Sequence, residues 1–149
     1  MSDMKESYSI LIVEDEEKIA KILMTYLHLY HKFKSIVWAR DGVEAMQKIS
    51  NQEFDLVITD LVLPRRDGLT FLDTLRKIPR YYNLKVIVIS GCLTADLTMG
   101  VIKRNVTHII VKPFTARQIL LKTMSILKSE KDVSKKVDSI LEKVARRFL

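Results

Sequence analysis

Two rhythms of apolar residues alternate along the chain. Short, nearly continuous apolar runs at residues 8–13, 33–39, 55–59, 84–89 and 108–111 have the composition of strands. The last three are mostly Val, Ile and Leu, as expected of parallel strands buried on both faces. Between the runs, apolar positions recur at spacings of three and four, the period of an amphipathic helix. Residues 16–31 are the clearest case, with Ile19, Ile22, Leu23, Tyr26, Leu27 and Tyr30 on one stripe. Shorter helical patterns cover residues 43–50, 69–78 and 95–104. A fifth covers 115–127, with Thr115 expected as its N-cap just after Pro113. Strand and helix thus alternate five times. Right-handed crossovers convert that order into an α/β fold, a doubly wound five-stranded parallel sheet with helices on both faces.

The pattern divides the chain into a main domain at residues 1–129 and a C-terminal amphipathic helical extension at 130–149. In the extension Val133, Val137, Ile140, Leu141, Val144 and Phe148 share one face, opposite Lys135, Lys136, Lys143, Arg146 and Arg147. An isolated helix of this length is marginal in water, so the stripe needs a cover. Three kinds of cover fit: packing back on the chain's own domain, self-association into a homodimer through a short heptad seam, or an outside surface, whether an output domain to which the segment is a linker, a partner or a membrane.

Composition narrows the function. The chain has 149 residues, 48% hydrophobic and 29% charged, an ordinary globular balance. No apolar run approaches the ~20 residues of a membrane span, and the N-terminus is too polar for a signal peptide. The single cysteine, Cys92, excludes an internal disulfide and a cysteine-rich metal site. A cytoplasmic location is the expectation. The net charge of +7 is spread over many helices, without zinc-finger spacing or an arginine-rich arm, so nucleic acid is not indicated as a partner.

In such a sheet, ligands bind beyond the carboxyl ends of the strands. Those ends carry Glu14 and Asp15, then Asp60, then Ser90, then Lys112-Pro113. Converging carboxylates repel unless a cation joins them. A donor set of oxygens alone suits a hard ion such as Mg²⁺. An aspartate can attack phosphorus to form an aspartyl phosphate, and a metal ion and a lysine can neutralise the transferred group. A hydroxyl such as Ser90 can hydrogen-bond a phosphoryl oxygen. Singly these residues say little: Asp15 could simply cap the first helix.

Taken together, the residues resemble the receiver domain of bacterial two-component response regulators, the family of the single-domain chemotaxis regulator. The matching text is Ile10-Leu11-Ile12-Val13-Glu14-Asp15, Ala39-Arg40-Asp41-Gly42-Val43-Glu44-Ala45, Asp60 through Gly68, Ser90-Gly91 and Lys112-Pro113-Phe114. The resemblance implies a flavodoxin-like sheet of order 2-1-3-4-5. It also implies a signalling domain that catalyses only its own phosphorylation and dephosphorylation. Asp60 would be the phosphoacceptor. Glu14, Asp15, Asp60 and the Val62 backbone carbonyl would hold Mg²⁺, for which Mn²⁺ can substitute. Lys112 would pair with the phosphoryl group, Ser90 would carry the switch, Gly91 would leave room above the site, and the Lys112-Pro113 bond would be cis. The implied partners are a histidine kinase or phosphotransfer protein and a downstream protein target.

Four residues, at three places, depart from the family pattern. Glu14 stands where Asp is commoner. Ile109 stands at the switch position, usually Tyr or Phe, which implies a weakened or altered switch on the face of the fourth helix, fifth strand and fifth helix. Val62 and Cys92 stand where polar groups often assist attack by water, which implies a long-lived phosphorylated form. A flavin-binding fold would need a phosphate loop where this chain has Glu14-Asp15-Glu16-Glu17. A dehalogenase-type phosphatase would need a second Asp at Val62. The remaining alternative is a pseudo-receiver, a protein-binding or dimerisation module that is not phosphorylated.

Overall fold

The computed structural model describes residues 5–63, 67–127 and 132–148. Pro64, Arg65 and Arg66 of the motif and both ends of the expected tail helix lie outside the described residues. In chain order the elements are β1 (Tyr8–Val13), α1 (Glu17–His28), β2 (Phe33–Ala39), α2 (Gly42–Asn51), β3 (Leu56–Asp60) and α3 (Gly68–Lys77). After a 3-10 turn at Pro79–Tyr81 come β4 (Lys85–Ser90), α4 (Ala95–Lys103), β5 (His108–Val111), α5 (Ala116–Leu127) and α6 (Val133–Arg147). The strands pair in parallel in the order β2-β1-β3-β4-β5, as the resemblance implied.

Side chains alternate across a strand, so each strand feeds two cores. Ile10, Ile12, Ile58, Ile87, Ile89 and Ile110 pack with Leu23 and Leu27 of α1 and with Ile119, Leu120 and Met124 of α5. Leu11, Val13, Val57, Val86 and Val88 face Ala45 and Ile49 of α2, Phe71, Leu72 and Leu75 of α3, and Val101 of α4. With both faces covered, the strand ends are what the sheet leaves open to a ligand.

Side chains cap four helix starts, of which the Thr115 cap is expected from the sequence. Asp41, Asp67 and Thr94 accept from the backbone N–H of Glu44, Thr70 and Leu97 at 2.9, 2.8 and 3.1 Å. Thr115 and Gln118 cap one another reciprocally, at 3.2 and 2.8 Å. The first helix departs from expectation at both ends. Its N-cap is Glu16, which makes no side-chain capping bond, so Asp15 is not a cap. It ends at His28 rather than residue 31, because Leu29 and Tyr30 donate to the carbonyls of Tyr26 and Leu27 in a closing turn. That turn drops Tyr30 into the core, where it is 1% exposed. Strands β3 and β4 run one residue further than expected, making Asp60 and Ser90 their last residues.

The tail folds back. Val133 and Val137 of α6 are buried in the α1–α5 core, with Ile140 and Leu141 packed against it. On α5, Arg117 reaches Asp138 at 3.1 Å and Ser134 at 3.0 Å, and the Lys136 ammonium lies 5.5 Å from the Tyr30 ring centre. No helix among the described residues is long and apolar enough to cross a membrane.

Candidate functional site

The carboxyl ends of β1, β3, β4 and β5 meet around one pocket. The backbone of Glu14 extends the β1–β2 ladder by donating to the Ala39 carbonyl at 3.0 Å, and its own carbonyl accepts from the Trp38 indole N–H at 2.7 Å. Thus Glu14 is held from β2 and its carboxylate turns inward, 2% exposed. The next backbone N–H, that of Asp15, donates to Glu14 Oε2 at 3.1 Å, and Asp15 itself is exposed. Asp60 is 8% exposed. Its Oδ1 accepts from the Val62 backbone N–H at 3.1 Å, which shapes the loop beyond β3. Gly68 completes that loop. A Cβ at this position would lie 2.5 Å from both the Asp60 carbonyl oxygen and the Leu61 Cα, so only glycine lets α3 start directly over the strand end.

Lys112 supplies the cation. Its backbone N–H donates to the Ser90 carbonyl at 2.8 Å, and the Lys112–Pro113 bond is cis. Its ammonium bridges Asp60 Oδ2 at 2.6 Å and Glu14 Oε1 at 2.9 Å. Burial works against the Lys112 charge, but the bonds to Asp60 and Glu14 outweigh it and raise its pKa above the ordinary value. Burial pushes the Glu14 carboxyl up to about 7; the Lys112 bond opposes this and the nearby Asp60 charge adds to it. One lysine therefore leaves the pocket short of positive charge.

The carboxylates of Glu14, Asp15 and Asp60 each offer an oxygen within 4.8 Å of the others. An all-oxygen donor set with unbalanced negative charge fits a hard divalent cation such as Mg²⁺.

Other expected residues are placed differently. Ser90 is 1% exposed, and its hydroxyl is engaged with its own loop, donating to the Cys92 carbonyl at 3.0 Å and accepting from the Cys92 N–H at 3.2 Å. Its link to the acidic cluster is the backbone bond to Lys112. At Gly91 an added Cβ would rest 3.9 Å from the Lys112 stem, an ordinary contact, so space there is available rather than required. Ile109 is half-buried and packs on the core that includes Val88 and Val101. Val62 is 73% exposed at the pocket mouth, and Cys92 is exposed. Sequence reasoning does not reach Trp38. The available signal is an aromatic residue one position before the end of an edge strand, beside the acidic pair.

A doubly wound parallel sheet with carboxylates and a lysine gathered at its switch point defines a receiver-type signalling domain. Residues 10–124 match the response regulator receiver domain family, and the chain belongs to it. The chain is 33% identical over 122 residues to response regulator ArlR of Staphylococcus aureus, covering 81% of this chain and 53% of ArlR. It is 24% identical over 122 residues to hybrid signal transduction histidine kinase D of Dictyostelium discoideum, covering 82% of this chain and 8% of the kinase. The chain therefore spans about half of one relative and a small part of the other. Among solved structures, a chain of the CheX-CheY-BeF3-Mg²⁺ complex from Borrelia burgdorferi matches at TM-score 0.73 and 30% identity, covering 80% of this chain and 88% of that one. The signal receiver domain of an HD domain-containing protein from Pseudomonas fluorescens matches at 0.75 and 27%, covering 83% and 96%.

Proposed function

We propose that this receiver domain accepts a phosphoryl group on Asp60, using Mg²⁺ held by Glu14, Asp15, Asp60 and the Val62 carbonyl. The observation that carries this reading is the Lys112 ammonium bridging Asp60 and Glu14, with Asp15 within metal-sharing distance. In the reaction an Asp60 carboxylate oxygen attacks the phosphorus of a phosphohistidine on a histidine kinase or phosphotransfer protein. The new O–P bond forms as the P–N bond breaks, and the departing imidazole takes up a proton from solvent. Lys112, already on Asp60, follows the transferred oxygens and neutralises part of their charge. When bound by these residues, Mg²⁺ or Mn²⁺ would supply positive charge against the carboxylates and the transferred group. Ser90 leaves its Cys92 contacts to meet the phosphoryl group, and this carries the state of the site outward.

The face of α4, β5 and α5 is the output surface in this reading. It exposes Met99, Ile102 and Val111, an apolar surface suited to a downstream protein target or a second copy of the chain. Ile109 lies under that face. Branched at Cβ and stiff at χ1, it carries a smaller rearrangement than an aromatic side chain. In this reading the receiver unit is residues 1–129 and the extension 130–149, of which α6 packs on the unit through Val133 and Val137.

The test is incubation with acetyl phosphate and Mg²⁺, followed by intact-mass measurement. We expect the mass of one phosphoryl group, lost on chelation and absent in Asp60→Asn. Equal incorporation in Asp60→Asn, or full incorporation in excess chelator, overturns the proposal.

A further inference from the structure

The peptide unit that joins Glu14 to Asp15 is held on both sides. Its carbonyl accepts from the Trp38 indole N–H at 2.7 Å, and its own N–H donates to Glu14 Oε2 at 3.1 Å. The unit is trans, so its C=O and N–H point in opposite directions. A donor that fixes the carbonyl toward β2 therefore aims the N–H the other way, into the pocket, where the Glu14 carboxylate meets it. Polarisation through the same peptide strengthens that N–H as a donor.

The indole takes over where the strand ladder stops. β1 and β2 pair in register as far as Val13 opposite Ala39, and Glu14 adds one more bond by donating to the Ala39 carbonyl at 3.0 Å. There β2 ends. The Arg40 N–H turns to Glu44 Oε2 at 3.1 Å, and Asp41 caps α2. With the backbone of β2 turning away, the Glu14 carbonyl takes its donor from a side chain of the same strand. Trp38 is itself well placed to act as a support. It is half-buried against the α1–α5 core, with the Arg40 guanidinium 4.8 Å from its ring centre.

The beneficiary is the Glu14 carboxylate. A glutamate side chain is long and loses rotamer freedom when it is fixed. Here Oε2 is pinned by the Asp15 N–H and Oε1 by the Lys112 ammonium at 2.9 Å. The first of those two bonds depends on a peptide plane that the indole sets.

We propose that Trp38 is a positioning residue for the cation site, acting through the peptide that orients the Glu14 carboxylate; the inference rests on the reading of Glu14 as a ligand of Mg²⁺.

The test is a titration of the full chain with Mg²⁺, followed by NMR. Two replacements remove the donor: Trp38→Phe, and benzothienylalanine at position 38, which keeps the bicyclic shape and carries sulfur in place of the N–H. Loss of an outer-shell partner is expected to weaken Mg²⁺ binding about tenfold in both. In the metal-free protein the Asp15 amide proton is expected to move upfield as its bond to Glu14 loosens. In a Glu14→Ala background, removal of the Trp38 donor is expected to change the remaining affinity by less than about twofold, the mark of an effect that runs through Glu14. An unchanged Mg²⁺ affinity in the benzothienylalanine protein overturns the proposal. So does an equal loss in the Glu14→Ala background, which would place the influence of Trp38 elsewhere in the fold. A Glu14→Ala protein that binds Mg²⁺ as tightly as the native chain removes Glu14 from the metal site itself, and this inference falls with it.

Discussion

The two ends of this sheet handle buried charge in opposite ways. At the carboxyl end, Glu14 and Asp60 are nearly inaccessible and share the single ammonium of Lys112. Negative charge is left over, and Glu14 responds by holding its proton up to about 7. At the amino end, Arg76 is half-buried with no carboxylate on it, yet five main-chain carbonyls absorb its donors. Those carbonyls belong to Tyr81, Tyr82, Leu84, Arg104 and Asn105, so one guanidinium ties α3 to the connections leading into β4 and β5. The carboxyl end is set up to change partners, since a divalent cation can share the carboxylates that Lys112 now holds. The amino end is a clamp, because carbonyls do not titrate.

The comparison breaks most visibly at the clamp. Arg76→Met keeps much of the apolar stem and removes every donor, leaving several carbonyls unsatisfied. Urea unfolding is expected to show a loss of about 3 kcal/mol, while acetyl phosphate incorporation per folded molecule stays unchanged. A parallel fall in the phosphorylation rate of the folded fraction would mean that the two ends are mechanically coupled.

A smaller effect sharpens the other side. The Glu14 carboxyl holds its proton more tightly when folded than at its ordinary value of 4.5. The folded state therefore binds more protons between 4.5 and about 7, and this group's contribution to stability falls as pH rises through that window. Mg²⁺ needs the carboxylate, so its affinity runs the opposite way and binding releases a proton. Calorimetry in buffers of different ionisation enthalpy is expected to show about a tenfold loss of Mg²⁺ affinity from about pH 7.5 to about pH 5.5. An affinity flat across that range would remove Glu14 from the metal site.

The smallest effect concerns the mouth of the pocket. Val62 and Cys92 offer an attacking water little orientation, so Val62→Asn with Cys92→Ser is expected to shorten the life of the phosphorylated form about threefold, the scale of one modest hydrogen bond. Decay followed by intact mass checks it, and an unchanged or longer lifetime would exclude these side chains from control of hydrolysis.

Legibility in the sequence tracked how local the cause was. Strand runs and the Thr115 cap act within a few positions, and their elements lie where the pattern predicts. Glu14, Asp15, Asp60 and Lys112 were legible because a parallel sheet delivers every strand end to one edge. The end of α1 was not, since the stripe continues to Tyr30 while the backbone turns at Leu29 to insert that ring. The clamp of Arg76 left no trace because its partners are carbonyls, which every residue carries. The stripe of α6 announced a need for cover without naming it. Its address comes from contacts with Tyr30 and Arg117 that lie far away in the sequence. Ser90 was found at the right edge with its hydroxyl turned to Cys92, because a side-chain rotamer is not written in spacing.

The bond from Trp38 to the Glu14 carbonyl has an optical consequence. Trp38 is the chain's sole tryptophan, half-buried, with its indole N–H fixed on the backbone of a pocket carboxylate and the Arg40 guanidinium 4.8 Å from its ring centre. Indole emission responds to nearby charge and to the polarity around its N–H. The intrinsic fluorescence of the unlabelled protein is thus a single-site signal located at the acidic pocket, through which cation binding and phosphoryl transfer can be timed without a dye or a coupled assay.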